Sequence, residues 1–145
     1  MSTKASPITA EHERILSACK TGLLSTIRHK DGLISTNPVG YLWNGEEIEI
    51  STLKSRVKYR NLAANPMATL CVVSPEDSMV YVEVRGRARL EDDPERRKSA
   101  EIFKKGTGFD MPRDLDPPDA ERVTIYLRPE QVSSPTLYGG RFHKR

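Results

Sequence analysis

Hydrophobic positions recur with two different periods along this chain, and the switches between them mark its elements. Ile8, Ile15, Leu16 and Cys19 share one face at helical spacing, which predicts an amphipathic first helix. Ser6-Pro7 or Thr9 opens it, Glu11 and Glu13 sit near its positive end, and Gly22 ends it. The period then becomes two: Leu23, Ser25 and Ile27 alternate with Leu24, Thr26 and Arg28 as a first strand. Lys30-Asp31-Gly32 is a tight-turn signal, so a second strand over 33–43 should pair antiparallel with the first. Asn44-Gly45 repeats the signal before a third strand over 46–53, giving two consecutive hairpins. A helix follows and is stopped by Asn65-Pro66, and residues 67–73 read as a buried strand. After a turn at 74–77, a long alternating strand covers 79–90, and Gly86 within it predicts a bulge or bend. Residues 91–94 cap a helix running to about Lys105. The Gly-, Pro- and Asp-rich segment 106–119 reads as an irregular loop or lid. Residues 123–127 form the last clear strand, with Pro129 onward as edge strand or tail.

These elements define a mainly β protein with a few helices. Six antiparallel strands in an open sheet would leave long unpaired edges, so a small closed or six-stranded split β-barrel is expected. A doubly wound nucleotide-binding fold is disfavoured. It needs parallel βαβ units and a Gly-rich strand-to-helix turn, and the hairpin signals contradict the first.

Composition adjusts this picture modestly. A chain of 145 residues fits one domain, 1–145, and 37% hydrophobic residues can build a small core that self-association would complete. The balance of 23 basic and 20 acidic side chains, +3 overall, is too mild to argue for nucleic acid. The polar start lacks a signal-peptide core and no apolar run is long enough to span a bilayer, so a cytoplasmic protein is expected. Cys19 and Cys71 match no metal-ligand spacing and read as buried free thiols.

One stretch departs from the mild average. Lys54, Arg56, Lys58 and Arg60 place four cations in seven residues, after a strand-like run and at an apparent helix start. No acid stands between Glu49 and Glu76 in sequence. A helix N-terminus offers unpaired N–H groups, with Ser55 as a plausible cap, and added Lys and Arg suit a phosphate. A solubilising surface is the other reading. Pro38, inside the second strand, belongs on an edge, at a bulge or beside a ligand.

Other chemistry is sparse. His12, His29 and His143 have no second ligand at i+3 or i+4, so no metal site is expected. No Gly-x-Ser-x-Gly turn occurs, and no catalytic residue can be named. An anion site without acid–base machinery is what a cofactor-borne reaction would leave.

Several motifs together carry a resemblance: the run from Gly22 to Arg28, Asp31-Gly32, Ser35-Thr36-Asn37-Pro38-Val39, Ile50-Ser51-Thr52, the cations from Lys54 to Lys58, and Arg60-Asn61-Leu62 through Asn65-Pro66. In that order they resemble the pyridoxamine-phosphate-oxidase-like split-barrel superfamily, and within it the B-type reductases that use the deazaflavin coenzyme F420. The likeness spans about residues 15–90 and, more weakly, 123–138.

The resemblance implies that Ser51, Thr52, Lys54, Arg56, Lys58 and Arg60 hold the cofactor phosphate and acidic tail. It implies that Asn37, Pro38 and Val39 lie along the deazaflavin ring, largely through backbone groups. It also implies a homodimer in which Met79, Val80 and Tyr81 of the partner subunit complete the pocket. The expected activity is an oxidoreductase that moves a hydride from reduced F420 to an unsaturated small molecule. FMN is the alternative cofactor, and a non-catalytic F420 or flavin carrier is the alternative class. Single-stranded nucleic acid is a distant third, because Tyr59 is the only aromatic among the cations.

Overall fold

A computed structural model of the protein describes residues 6–134, so His143 and the end of the 123–138 likeness lie outside the described residues. In chain order the elements are α1 (Ala10–Ala18), β1 (Thr21–Ile27), β2 (Ile34–Gly40), β3 (Leu42–Trp43), β4 (Ile48–Leu53), α2 (Val57–Ala64), β5 (Met67–Val73), β6 (Tyr81–Asp92), α3 (Arg97–Thr107) and β7 (Arg122–Ser133). The strands form one antiparallel sheet in the order β2-β1-β5-β6-β7-β4-β3.

Seven strands replace the expected six because the strand predicted over 33–43 breaks at Tyr41. Its first part pairs with β1 and its last two residues pair with β4, at opposite ends of the sheet. Both hairpin turns therefore exist, but the meander between them does not. Tyr41 alone carries the chain from one sheet edge to the other, so the Cα atoms of Gly40 and Leu42 are at most about 7.6 Å apart. A sheet whose edges lie that close must curl. No ladder joins β2 to β3 or β4 among the described residues, and the barrel is split along that seam.

The barrel interior collects the inward residues of every long strand. Leu24, Ile48, Ile50, Leu70, Val72, Val82, Val84, Ile125 and Leu127 are all fully buried. Helix α1 contributes Ile15 and Leu16, and Cys19 follows at its C-terminal end. Tyr41, also fully buried, donates its hydroxyl hydrogen to the Leu16 carbonyl at 2.6 Å and locks α1 onto the edge crossing. Thr9 is the N-cap of α1 and forms a capping box with His12, which gives that histidine a structural task.

The helix ends at Ala18, not at Gly22 as expected. Gly22 instead lies in β1, where a Cβ would sit 2.9 Å from Leu70 Cδ1, so the position is kept bare by the neighbouring strand. The predicted irregularity at Gly86 is present. Arg85 pairs with Gln131 and Gly86 with Pro129, leaving Glu130 as the extra residue of a bulge. Pro129 thus interrupts a ladder that continues to Ser133. Strand β7 is twelve residues long and pairs with β4 only from Arg122 to Leu127; beyond that it pairs with β6 alone, so the residues from Pro129 onward are the edge strand expected there.

Helix α3 packs beside the seam, with Ile102 Cγ2 3.3 Å from where a Cβ on Gly40 would be. Its capping comes from within the predicted 91–94 segment. The Asp93 carboxylate accepts the N–H groups of Arg97 (3.0 Å) and Ser99 (3.1 Å). Among the described residues, no helix is long and apolar enough to cross a membrane.

Candidate functional site

Where β2 and β4 part beyond Tyr41, the seam opens into a cleft of about 730 Å³. Strand β2 contributes Ser35 and Asn37, and β4 contributes Ser51, Thr52 and Leu53. The start of α2 adds Arg56, Val57 and Lys58. Residues 115–117 and Arg122 complete the lining.

Helix α2 begins one residue later than expected. Arg56 is the N-cap, not Ser55, and no side chain caps the helix. The exposed N–H groups of its first turn remain available to an external acceptor. The helix is pinned from behind by Asn61, which is buried, donates to Thr26 Oγ1 at 3.1 Å and accepts the His29 N–H at 3.1 Å. The Arg60-Asn61-Leu62 motif is thus legible as an anchor: Leu62 enters the core while Asn61 ties α2 to β1 and its turn.

The four clustered cations separate in space. Lys58 and Arg56 line the cleft, and among the described residues neither side chain has a carboxylate partner. Burial holds the Lys58 ammonium below the ordinary lysine value, and the neighbouring Arg56 charge adds to this. Lys54 turns away. Its Nζ pairs with Asp92 at 3.1 Å and Glu121 at 3.3 Å, and these bonds raise its pKa. The absence of nearby acids in sequence is therefore overturned in space by β6 and the residue before β7. Lys54 borders a smaller depression of about 290 Å³ shared with Asp92, Arg96 and Glu121. Arg60 donates to the Ser55 carbonyl at 3.1 Å and does not line the cleft.

Asn37, Pro38 and Val39 divide by strand alternation. Asn37 faces the cleft, Pro38 is exposed on the opposite face, and Val39 belongs to the core. Strand β2 has a neighbour on one side only, which explains how it accommodates a proline. Asn37 Oδ1 is buried without a hydrogen-bond partner. An orphaned amide oxygen at a cleft wall costs about 1–3 kcal/mol unless a ligand N–H reaches it. Ser51 and Thr52 both line the cleft. Met79, Val80 and Tyr81 do not, because they lie at the turn into β6, where Val80 packs against the core.

Residues that sequence reasoning missed come chiefly from far along the chain. Arg122 donates from Nε and Nη2 to Asp116 at 2.7 and 2.6 Å, and from Nη1 to Ser51 Oγ at 3.3 Å. The bonds from Arg122 hold the Asp116 carboxyl below the usual carboxylate range. Only the loop composition of 106–119 hinted at this wall; the pairing itself has no local signal. No group of three or more His, Cys, Asp or Glu side chains is placed to hold a metal ion among the described residues.

A curled antiparallel barrel with an anion-receptive cleft at its seam defines a class, and sequence comparison specifies the family. The profile of the pyridoxamine 5'-phosphate oxidase family matches residues 8–134, and this chain belongs to that family. Among solved structures, an F420 reductase is similar at 30% identity and a TM-score of 0.76, with 87% of this chain and 98% of that one covered. General Stress Protein 26 from Bacillus anthracis shares the fold at 20% identity and a TM-score of 0.64, covering 84% of this chain and 88% of that one. A heme binding protein from Mycobacterium smegmatis shares it at 22% identity and a TM-score of 0.68, covering 94% of this chain and 57% of that one. No curated protein sequence matches this chain.

Proposed function

We propose that this protein is an oxidoreductase that binds coenzyme F420 in the seam cleft and passes a hydride from its reduced form to an unsaturated small molecule. The observation that carries the proposal is the pairing of two unsatisfied groups in one cleft. Lys58, half-buried and without a carboxylate partner, stands at an uncapped helix start, and Asn37 Oδ1 waits for a donor. A ligand with an oxyanion at one end and a ring N–H at the other satisfies both, and deazaflavins and flavins have that form. The 30% identity to an F420 reductase over nearly that protein's whole length favours the deazaflavin.

When bound, the cofactor supplies the hydride. The chain's own work is to hold and orient. Arg56, Lys58 and the α2 N–H groups would hold the phosphate, with Ser51 and Thr52 lining the same cleft, and Asn37 Oδ1 would accept a ring N–H. Asn37, Pro38 and Val39 offer backbone along the ring. No side chain in the cleft is assigned as proton donor, and solvent supplies the proton.

FMN is the second reading, and the structure strengthens it in one respect. With Lys54 tied to two acids and Arg60 to a carbonyl, the freely available cations are those a single phosphate needs. Separate fluorescence titrations with F420 and FMN decide between them. F420 should bind at least tenfold tighter, about 1.4 kcal/mol. Equal affinities, or tighter FMN, would transfer the assignment to the flavin. Tight F420 binding without oxidation of its reduced form across a panel of enones and quinones would make the protein a carrier.

The proposed assembly is a homodimer. Leu23, Ile34, Met67 and Val73 are exposed on the outer face of β2, β1 and β5, and Tyr81 pairs with Val73 beside them. That apolar face is the surface offered to a second copy. It would bring Met79, Val80 and Tyr81 of the partner subunit toward the neighbouring site.

A further inference from the structure

Arg122 lines the cleft from β7, the strand paired with β4, whereas Arg56 and Lys58 line it from the start of α2. A guanidinium has five N–H groups. Two go to Asp116 in a side-by-side fork and one to Ser51, so one N–H remains on each terminal nitrogen. Asp116 is nearly sealed, with its side chain 4% exposed against 16% for Arg122. A pair this dehydrated gives little net stability over apolar packing, because the desolvation penalty offsets the attraction. What it does achieve is orientation. A planar fork clamped on one edge presents its other N–H groups in a fixed direction.

The same carboxylate also holds a stretch of chain. Arg96 Nε lies 3.8 Å from Asp116, and Arg96 Nη1 donates to the Arg113 carbonyl at 2.9 Å. Segment 108–121, which has no helix or strand, is thereby fastened to the first residue of β7 and to the start of α3.

We propose that Arg122, oriented by Asp116, is a third anion-reading group of the cleft, and that the same ion pair fixes segment 108–121 as the cleft wall. The group it reads is an oxyanion, either a phosphate or a carboxylate of an acidic tail. Arg122 adds a cation to the cleft, which Lys54 does not line. The choice of test ligands rests on the F420 reading; the geometry of the pair does not.

The experiment compares wild type with Arg122→Gln, Arg122→Lys and Asp116→Asn, using F420 with its glutamate tail, F420 stripped of its glutamates, and FMN. Arg122→Gln should weaken binding tenfold or more. Arg122→Lys, which keeps the charge without the planar fork, should recover only part of the loss. Asp116→Asn should fall between the two, and should also speed tryptic cleavage after Arg113 several-fold. A loss confined to the tailed cofactor assigns a tail carboxylate, and a loss shared by all three ligands assigns the phosphate. Unchanged affinity in both Arg122 variants overturns the proposal, as does an Asp116→Asn protein with wild-type affinity and cleavage rate. If the single variants fail to fold, the double variant Arg122→Gln with Asp116→Asn, which leaves no unpaired charge, carries the same binding comparison. Should wild type bind none of the three, the F420 reading falls. The proposal is then read on inorganic pyrophosphate: tenfold weaker binding by Arg122→Gln supports it, and equal binding overturns it.

Discussion

Lys54 and Lys58 are the same residue type four positions apart, yet tertiary structure gives them different tasks. Lys58 is half-buried in the cleft, while Lys54 is neutralised by Asp92 and Glu121. Charge-assisted contacts contribute about 1.5–3 kcal/mol, so Lys58→Ala should weaken F420 binding tenfold or more. Lys54→Ala should leave it within about twofold, since an already paired surface cation adds little. Fluorescence titration of the two variants checks the contrast, and a larger loss in Lys54→Ala would contradict it. Asp116 provides a test through pH. Its folded-state pKa is depressed, chiefly by its bonds from Arg122, so its stabilisation is complete above the ordinary Asp value of about 4. That stabilisation is lost as pH falls through the lower folded value. Asp116→Asn should therefore cost about 1–3 kcal/mol at pH 7, and the gap to wild type should close in acid. Urea unfolding at pH 7 and near pH 3 measures it; a gap that stays constant with pH would exclude the ion pair as its source.

At the scale of elements, the β6–β7 ribbon depends on one bare position. A Cβ at Gly86 would stand 2.0 Å from the Arg128 carbonyl oxygen, which is backbone and cannot rotate away. Gly86→Ala should destabilise the protein by about 3 kcal/mol, as severe overpacking does. The same substitution at Gly106, where a Cβ meets nothing within 4 Å, should be far milder. Thermal unfolding of the pair tests the assignment, and similar melting temperatures would refute it. Gly22 is tight in a gentler way, because the neighbouring atoms are the ends of Leu70 and Val72 side chains that can shift. Helix α2 depends on Asn61 in a comparable manner. Its amide spans Thr26 and His29, and removing it would release the helix that carries Lys58.

At the scale of the molecule, the crossing at Tyr41 shapes both the barrel and the cleft. One residue joins opposite edges of the sheet, so the seam is held shut there by Tyr41 and α3 and opens on the β2–β4 side. The exposed apolar residues on the outer face of β2, β1 and β5 lead to the fourth prediction. Sedimentation at micromolar concentration should find a dimer, and Leu23→Lys or Ile34→Lys should shift it toward monomer while leaving the fold intact by circular dichroism. A wild-type monomer at that concentration would remove the partner subunit from the proposed site.

The chain's local patterns were enough to determine most elements, for a physical reason: period, turn chemistry and capping act over a few residues. Strand β5 at Met67–Val73, the turns at 30–32 and 44–45, the Gly86 bulge and the cation-bearing helix were all legible that way. The motif order also carried the family, since it preserves which strand precedes which helix. Only the tertiary structure decided which edge each half of the 33–43 segment joins, because strand pairing is set by contacts between residues distant in sequence. It alone decided which cations remain available to a ligand. Lys54, at the end of β4, meets Glu121 beside the paired strand β7 and Asp92 on β6, and Arg122 of β7 meets Ser51 of β4 and Asp116 of the preceding loop. Charge is read from sequence one residue at a time, whereas the field a ligand meets depends on which opposite charges the fold brings within about 4 Å.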